Sequence, residues 1–105
     1  MKLLTKAIED KAPSLDSTEG LGDKAVVCAK FFTPDSSFTW YLLEMDKETG
    51  DCFGLVTSHL NYYEPEYGYF SLNELMTVKG PMGLSVERDM YFDSMTVGEL
   101  KKESK

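Results

Sequence analysis

Carboxylates recur at alternate positions in two short segments of the chain. The pairs are Glu64 with Glu66 and Glu87 with Asp89. Residues two apart on a β-strand face the same side, about 7 Å apart, so each pair would concentrate negative charge. Paired carboxylates carry out acid–base chemistry when their surroundings separate their pKa values. They can also bind a cation or a basic partner, or simply form a solvated face. The spacing leaves these alternatives open.

Other residue types add little support for catalysis. The single histidine, His59, has no nucleophile or orienting carboxylate beside it in sequence, and no nucleophile elbow or phosphate-binding glycine loop is present. Cys28 and Cys52 lie in apolar runs, as buried free thiols do in a reducing compartment. No metal-ligand spacing occurs. The sequence predicts a protein that is not an enzyme and has no cofactor, with a small enzyme using His59 or the paired acids as a rival.

Negative charge dominates the middle of the chain. Residues 31–99 include twelve acids and three bases, and the whole chain has a formal net charge of −7. Proteins that bind nucleic acid contact phosphates through Lys and Arg, and this chain has no basic stripe. We therefore expect no direct binding to nucleic acid. A membrane-spanning run and a secretory signal are also missing, so the sequence predicts a cytoplasmic protein.

The pattern of apolar residues predicts a single α+β domain over residues 1–105. Runs rich in β-branched and aromatic residues predict strands over 24–33, 38–45, 52–58, 67–70 and 85–92. Thr5, Ser71 and Thr96 can cap short helices, and the last two have a glutamate three positions later, as in a capping box. The last helix is expected to fray over 100–105. The predicted architecture is an antiparallel meander sheet of four to five strands with two or three short helices.

The segment 31–44 predicts a β-hairpin. Two aromatic runs flank the turn-forming residues Pro34-Asp35-Ser36-Ser37, so a four-residue connection is expected. The second strand of this hairpin is apolar on both sides, which predicts a central position in the sheet. A helix should cover one face, with aromatic side chains or a partner on the other. Gly54 in the next strand indicates a bulge or a close approach of a neighbouring side chain.

Tyrosines accompany the acids between residues 62 and 69. Tyrosine provides a large contact area at low entropic cost and is enriched in binding surfaces, although core packing explains about half of these aromatics equally well. We predict a partner-binding surface built from acids and tyrosines. Its members are Glu44, Asp46, Glu48, Asp51, Tyr62, Tyr63, Glu64, Glu66, Tyr67, Glu87 and Asp89.

Several short motifs together resemble a known type of domain. They are MKLLTK at the start, KFFTP at 30–34, FTWY at 38–41, GYFSLNEL at 68–75 and ERD at 87–89. The combination resembles a small domain of unknown function that is common on plasmids, prophages and other mobile elements. Domains of this size also resemble the acidic type II-A anti-CRISPR proteins. None of the motifs identifies a functional residue.

The resemblance implies a monomeric inhibitor in the cytoplasm of a bacterial host. Its partner would be the type II RNA-guided DNA nuclease, which holds nucleic acid in a basic channel. An acidic surface that imitates DNA would occupy that channel and prevent target recognition. The alternative is an accessory interaction module of a mobile element, which binds a replication, mobilisation or modification protein.

Overall fold

A five-stranded antiparallel sheet organises the fold, and the computed structural model describes residues 2–58 and 65–103. His59, Tyr62, Tyr63 and Glu64 therefore lie outside the described residues. The elements in chain order are α1 (Lys6–Lys11), a 3-10 turn (Gly22–Lys24), β1 (Val26–Val27), β2 (Ala29–Phe32), β3 (Thr39–Met45), β4 (Asp51–Thr57), β5 (Glu66–Ser71), α2 (Leu72–Leu75), β6 (Glu87–Arg88), β7 (Met95–Thr96) and α3 (Val97–Glu103).

The strand order confirms the predicted meander. It runs β5-β4-β3-β2-β6, so β3 is central and β5 and β6 form opposite edges. Each neighbouring pair is antiparallel, and β1 pairs with β7 in a separate two-stranded sheet. The central position of β3 follows from its composition. A strand with apolar side chains on both faces is stable where both faces are shielded from water.

The hairpin of β2 and β3 is present, with Phe31 opposite Trp40. Its connection spans residues 33–38, however, and is two residues longer than expected. The Thr33 amide donates to the Phe38 carbonyl at 3.1 Å, which closes the loop outside the predicted turn. Within it, the Asp35 carboxylate accepts from the Met82 amide at 2.7 Å. This contact ties the hairpin to the loop that follows α2.

Two apolar clusters lie on the two faces of the sheet. On one face, α1 and α2 pack Ile8 and Leu72 against Phe31 and Leu42. On the other, Val97 and Leu100 of α3 pack against Leu43 and Leu55 together with other buried residues. The expected helical cover on one face is confirmed. The second face is covered by aromatic side chains, as expected, and also by the chain's own α3, which the sequence did not predict.

Gly54 lies beside a bulge-type register shift, as predicted, while its close neighbour is a backbone group and not a side chain. It lies opposite Leu42, next to a register shift between Leu42 and Glu44. A Cβ atom placed on Gly54 would lie 1.9 Å from the Tyr41 carbonyl oxygen. No side chain fits at this point, so glycine is required by the packing of the two backbones.

The prediction of a strand over 85–92 is wrong for most of its length. Glu87–Arg88 pairs with β2, and Ser85 forms an isolated bridge with Lys79. The chain then turns, because the Asp89 side chain accepts from the Tyr91 amide at 2.9 Å. Aspartate commonly bonds to its own backbone two residues ahead, and this competes with strand pairing. The predicted 24–33 strand is likewise split at Cys28 into β1 and β2.

All three predicted helix caps are present. The Thr5 hydroxyl accepts from the Ile8 amide, and the Ser71 hydroxyl accepts from the Glu74 amide. At α3 the capping box is reciprocal, since Thr96 and Glu99 each accept from the other's amide. Contrary to the expected fraying from residue 100, α3 continues to Glu103.

Both cysteines are free thiols, but only one is fully buried. Cys52 has no exposed surface, and burial raises the pKa of its thiol to about 12. Cys28 is half-buried. Among residues 2–58 and 65–103, no helix has the length and apolar character needed to span a bilayer.

Candidate functional site: an aromatic groove beside an edge strand

Three aromatic rings on β4 and β5 form one side of a surface groove. Tyr67 and Tyr69 are two apart on β5 and so face the same side. They lie opposite Leu55 and Phe53 of β4. The Phe53 ring stacks on Tyr67 with centroids 5.7 Å apart and contacts Tyr69 at 5.0 Å. Tyr67 is 47% exposed and Tyr69 71% exposed, so both rings remain open to a ligand.

The loop over residues 14–22 forms the other side, and Glu44 holds it in place. The Asp16 amide donates to Glu44 Oε1 at 2.8 Å, and the Thr18 amide donates to Oε2 at 2.9 Å. The Thr18 hydroxyl donates to the same oxygen. Glu44 is only 3% exposed. The described donors to this buried carboxylate are all neutral, so its negative charge remains next to the groove.

We call this space the aromatic groove: it lies between Phe53, Tyr67 and Tyr69 on one side and the 16–22 loop on the other. Its volume is about 560 Å³. Asp16, Glu19 and Glu44 line it, and no lysine or arginine is among the described lining residues. The groove therefore combines exposed aromatic side chains with three carboxylates and no base among its described lining residues, which is an arrangement that attracts cations.

A lysine already approaches this aromatic cluster from α3. Lys101 Nζ lies 5.9 Å from the centroid of Tyr67. The same ammonium donates to Asp23 Oδ1 at 2.9 Å, and this hydrogen bond raises the lysine's pKa above its usual value. Lys101 therefore stays protonated at neutral pH. One cation of the chain itself thus lies near the Tyr67 ring.

Of the predicted partner-binding residues that the structure describes, two line this groove, Glu44 and Tyr67. Glu44 is buried, so its role is to position the loop. The expectation that it belongs to an exposed acidic surface is wrong. Sequence reasoning missed Phe53, Tyr69, Asp16 and Glu19 as groove residues. The alternate spacing of Tyr67 and Tyr69 on a predicted strand was the available signal for Tyr69.

The remaining predicted acids are separated. Asp46, Glu48 and Asp51 lie in or beside the turn between β3 and β4. There Asp46 accepts from the Glu48 amide at 2.9 Å and so stabilises the turn. Glu66 is exposed on the edge strand β5 and alternates with Tyr67, so it faces away from the groove.

Glu87 and Asp89 lie at the opposite edge of the sheet. They are half-buried and line a second groove with Phe38 and Tyr91. Asp89 forms an ion pair with Lys30 at 3.7 Å, so part of this charge is neutralised. The predicted residues Tyr62, Tyr63 and Glu64 lie outside the described residues. The described predicted acids thus do not form one contiguous surface.

The described part of the chain contains no candidate metal site. Residues 2–58 and 65–103 contain no group of three His, Cys, Asp or Glu side chains placed to share a metal ion.

The fold and the groove define a small α+β domain with an open aromatic site beside an edge strand. A family model described as a protein of unknown function, DUF2958, matches residues 3–98. The chain therefore belongs to the DUF2958 family. This agrees with the resemblance to a domain of unknown function, whereas the links to mobile elements and to anti-CRISPR proteins stay predictions. No curated protein and no solved structure showed significant similarity to the chain.

Proposed function

We propose that this domain is a non-enzymatic protein-binding domain and that the aromatic groove is its main contact surface. The observation that carries the proposal is the exposure of Tyr67 and Tyr69 beside Asp16 and Glu19, with no base among the lining residues that the structure describes. Large exposed aromatic side chains with a polar border are typical of binding surfaces. An acidic border selects a basic partner.

The proposed partner is the type II RNA-guided DNA nuclease, and the proposed effect is to prevent it from recognising target DNA. Two considerations support this choice. The sequence resembles the type II anti-CRISPR proteins, and the net charge of −7 suits the basic channel in which such a nuclease holds nucleic acid. In this proposal the domain acts as a monomer in the bacterial cytoplasm.

Order of addition provides the test. Purified guide-loaded nucleases of several type II systems are mixed with the domain before or after target DNA, and cleavage and DNA binding are measured by gel. We expect inhibition only when the domain is added first, because it competes for the DNA site. Absence of inhibition in every system tested would contradict the proposed partner.

A matched pair of variants tests whether the groove makes the contact. Tyr69→Ala removes an exposed ring from the aromatic groove, and Tyr91→Ala removes an exposed ring from the second groove. The two side chains are 71% and 90% exposed, so neither change should disturb the fold. We expect Tyr69→Ala to weaken inhibition and Tyr91→Ala to leave it unchanged. The reverse result would place the contact at the second groove.

The distribution of the acids favours a second candidate. DNA presents phosphates in regular rows, whereas Glu48, Glu66 and Glu87 lie at a turn and at opposite edges of the sheet. A domain that uses the groove rather than an array of acids fits an accessory interaction module of a mobile element. Affinity capture with wild-type and Tyr69→Ala domains as paired baits distinguishes the candidates. Groove-dependent recovery of a replication, mobilisation or modification protein, without the nuclease, would support the module.

A further inference from the structure

We infer that the aromatic groove binds an arginine side chain of the partner protein. The guanidinium would lie against the rings of Tyr67 and Tyr69 and face the acids of the 16–22 loop. This inference deepens the proposed function, because it specifies the chemistry by which the groove recognises its partner.

The aromatic side of the groove is suited to a flat cation. Phe53 and Tyr67 stack with their planes only 9° apart, while Tyr69 is tilted by 55° relative to Phe53. The Phe53 and Tyr67 rings are therefore nearly parallel, and the Tyr69 ring is inclined to both. Cations bind over aromatic faces within about 6 Å of the centroid, most often as arginine, which also stacks through its planar group.

The opposite side supplies the matching negative charge. Asp16 and Glu19 are exposed, and the buried Glu44 carboxylate lies behind them with neutral described donors only. A guanidinium has five donors in a rigid fork that suits carboxylate geometry. Stacking of the guanidinium on the rings and hydrogen bonding of its N–H groups to Asp16 or Glu19 use both properties of one arginine head group.

The competing ligands fit less well. A lysine ammonium has no planar face with which to stack on the Tyr69 ring. The base of a nucleotide could stack there, but the phosphates of the nucleotide would be repelled by Asp16, Glu19 and Glu44. No described lysine or arginine lines the groove to offset that repulsion. An apolar side chain would leave the acidic side without a partner. Arginine uses both sides of the groove.

Titration of the isotope-labelled domain with a blocked peptide, one arginine between glycines, tests the inference by NMR. We expect chemical-shift changes at Phe53, Tyr67 and Tyr69 and at the amides of residues 16–22. A single side chain should bind weakly, with a dissociation constant on the order of 1 mM. The same peptide with citrulline, a neutral isostere, should bind at least roughly tenfold more weakly because the charge is lost.

Two variants with matched controls locate the binding. Tyr69→Ala should weaken peptide binding by roughly three- to tenfold, whereas Tyr69→Phe, which keeps the ring, should bind like the wild type. Glu19→Gln should also weaken binding. Glu48→Gln, an exposed acid in the β3–β4 turn, should not. Retention of peptide binding by both Tyr69→Ala and Glu19→Gln would overturn the inference.

Further outcomes would also overturn it. Equal binding of arginine and citrulline peptides would show that charge is not recognised. Stronger groove binding by a lysine peptide or by a short single-stranded oligonucleotide would identify a different ligand. The peptide experiment contains no nuclease, so arginine binding without nuclease inhibition would reject the proposed partner and keep the groove assignment. Inhibition without arginine binding would support the proposed partner and reject the inference that the groove binds arginine.

Discussion

Glu44 shows how the surroundings of a residue in the fold determine its role. In the sequence it is one of many acids, and its charge favours an exposed role. In the structure it is buried and accepts from the backbone amides of Asp16 and Thr18. A carboxylate suits this position because it has only acceptor atoms to offer. Its role in the site is to hold one side of the aromatic groove.

Replacement of Glu44 by glutamine tests this role. One carboxylate oxygen becomes an NH₂ group, which cannot accept from a backbone amide, so a partly buried amide loses its acceptor. We expect Glu44→Gln to lower the free energy of unfolding by roughly 1–3 kcal/mol, measured by urea denaturation.

Glu48→Gln is the control for this experiment, because Glu48 is exposed in the β3–β4 turn. It should change stability by less than about 0.5 kcal/mol. Similar stabilities of the wild type and both variants would show that Glu44 does not anchor the loop.

At the level of elements, the pairing of β3 with β4 depends on one close contact. Gly54 and Gly68 lie opposite each other on β4 and β5, so they are matched in position. Their surroundings differ. A Cβ on Gly54 would meet the Tyr41 carbonyl oxygen at 1.9 Å, whereas a Cβ on Gly68 would be 3.9 Å from the nearest atom, Val56 Cγ2.

Alanine at each position gives a clear comparison. Gly54→Ala should destabilise the protein by about 3 kcal/mol or more, or prevent folding, because the two strands must separate. Gly68→Ala should stay within about 0.5 kcal/mol of the wild type. Circular dichroism during urea denaturation measures both. A tolerated Gly54→Ala would mean that the bulge near Leu42 can shift.

At the scale of the whole molecule, the negative charge is spread over several surfaces. The acids of the β3–β4 turn, of β5 and of β6 lie in different parts of the sheet. Dispersed charge steers a basic partner from a distance and raises the association rate, without specifying a single contact.

Charge reversals at separate sites test this view. We expect Glu48→Lys, Glu66→Lys and Glu87→Lys each to lower the association rate with the guide-loaded nuclease by roughly twofold at low salt. The differences should fade at high salt, since the screening length falls from about 30 Å at 0.01 M to about 3 Å at 1 M.

Surface-immobilised nuclease and a series of salt concentrations provide the measurement. Lys47→Glu in the same turn as Glu48 is the control of opposite sign, and it should raise the rate. If one reversal alone abolished binding while the others had no effect, a local acidic contact would replace general steering.

The local patterns in the sequence determined most of the elements. Aromatic and β-branched runs predicted β2 to β5, and the Thr5, Ser71 and Thr96 caps predicted where the helices begin, because these signals depend on nearby residues only. The central position of β3 was also predictable, since a strand with two apolar faces must be covered on both. At 85–92 the apolar alternation misled, because the Asp89 side chain stabilised a turn instead.

The site, in contrast, was decided by tertiary structure. The groove joins residues 16–22 with Phe53, Tyr67 and Tyr69, and no short-range pattern relates segments so far apart in sequence. Sequence spacing could place Tyr67 and Tyr69 on one face, but not the loop opposite them. Burial of Glu44 and dispersal of the other acids arise from chain packing, because the same carboxylate is a surface charge or a loop anchor depending on which backbone amides surround it.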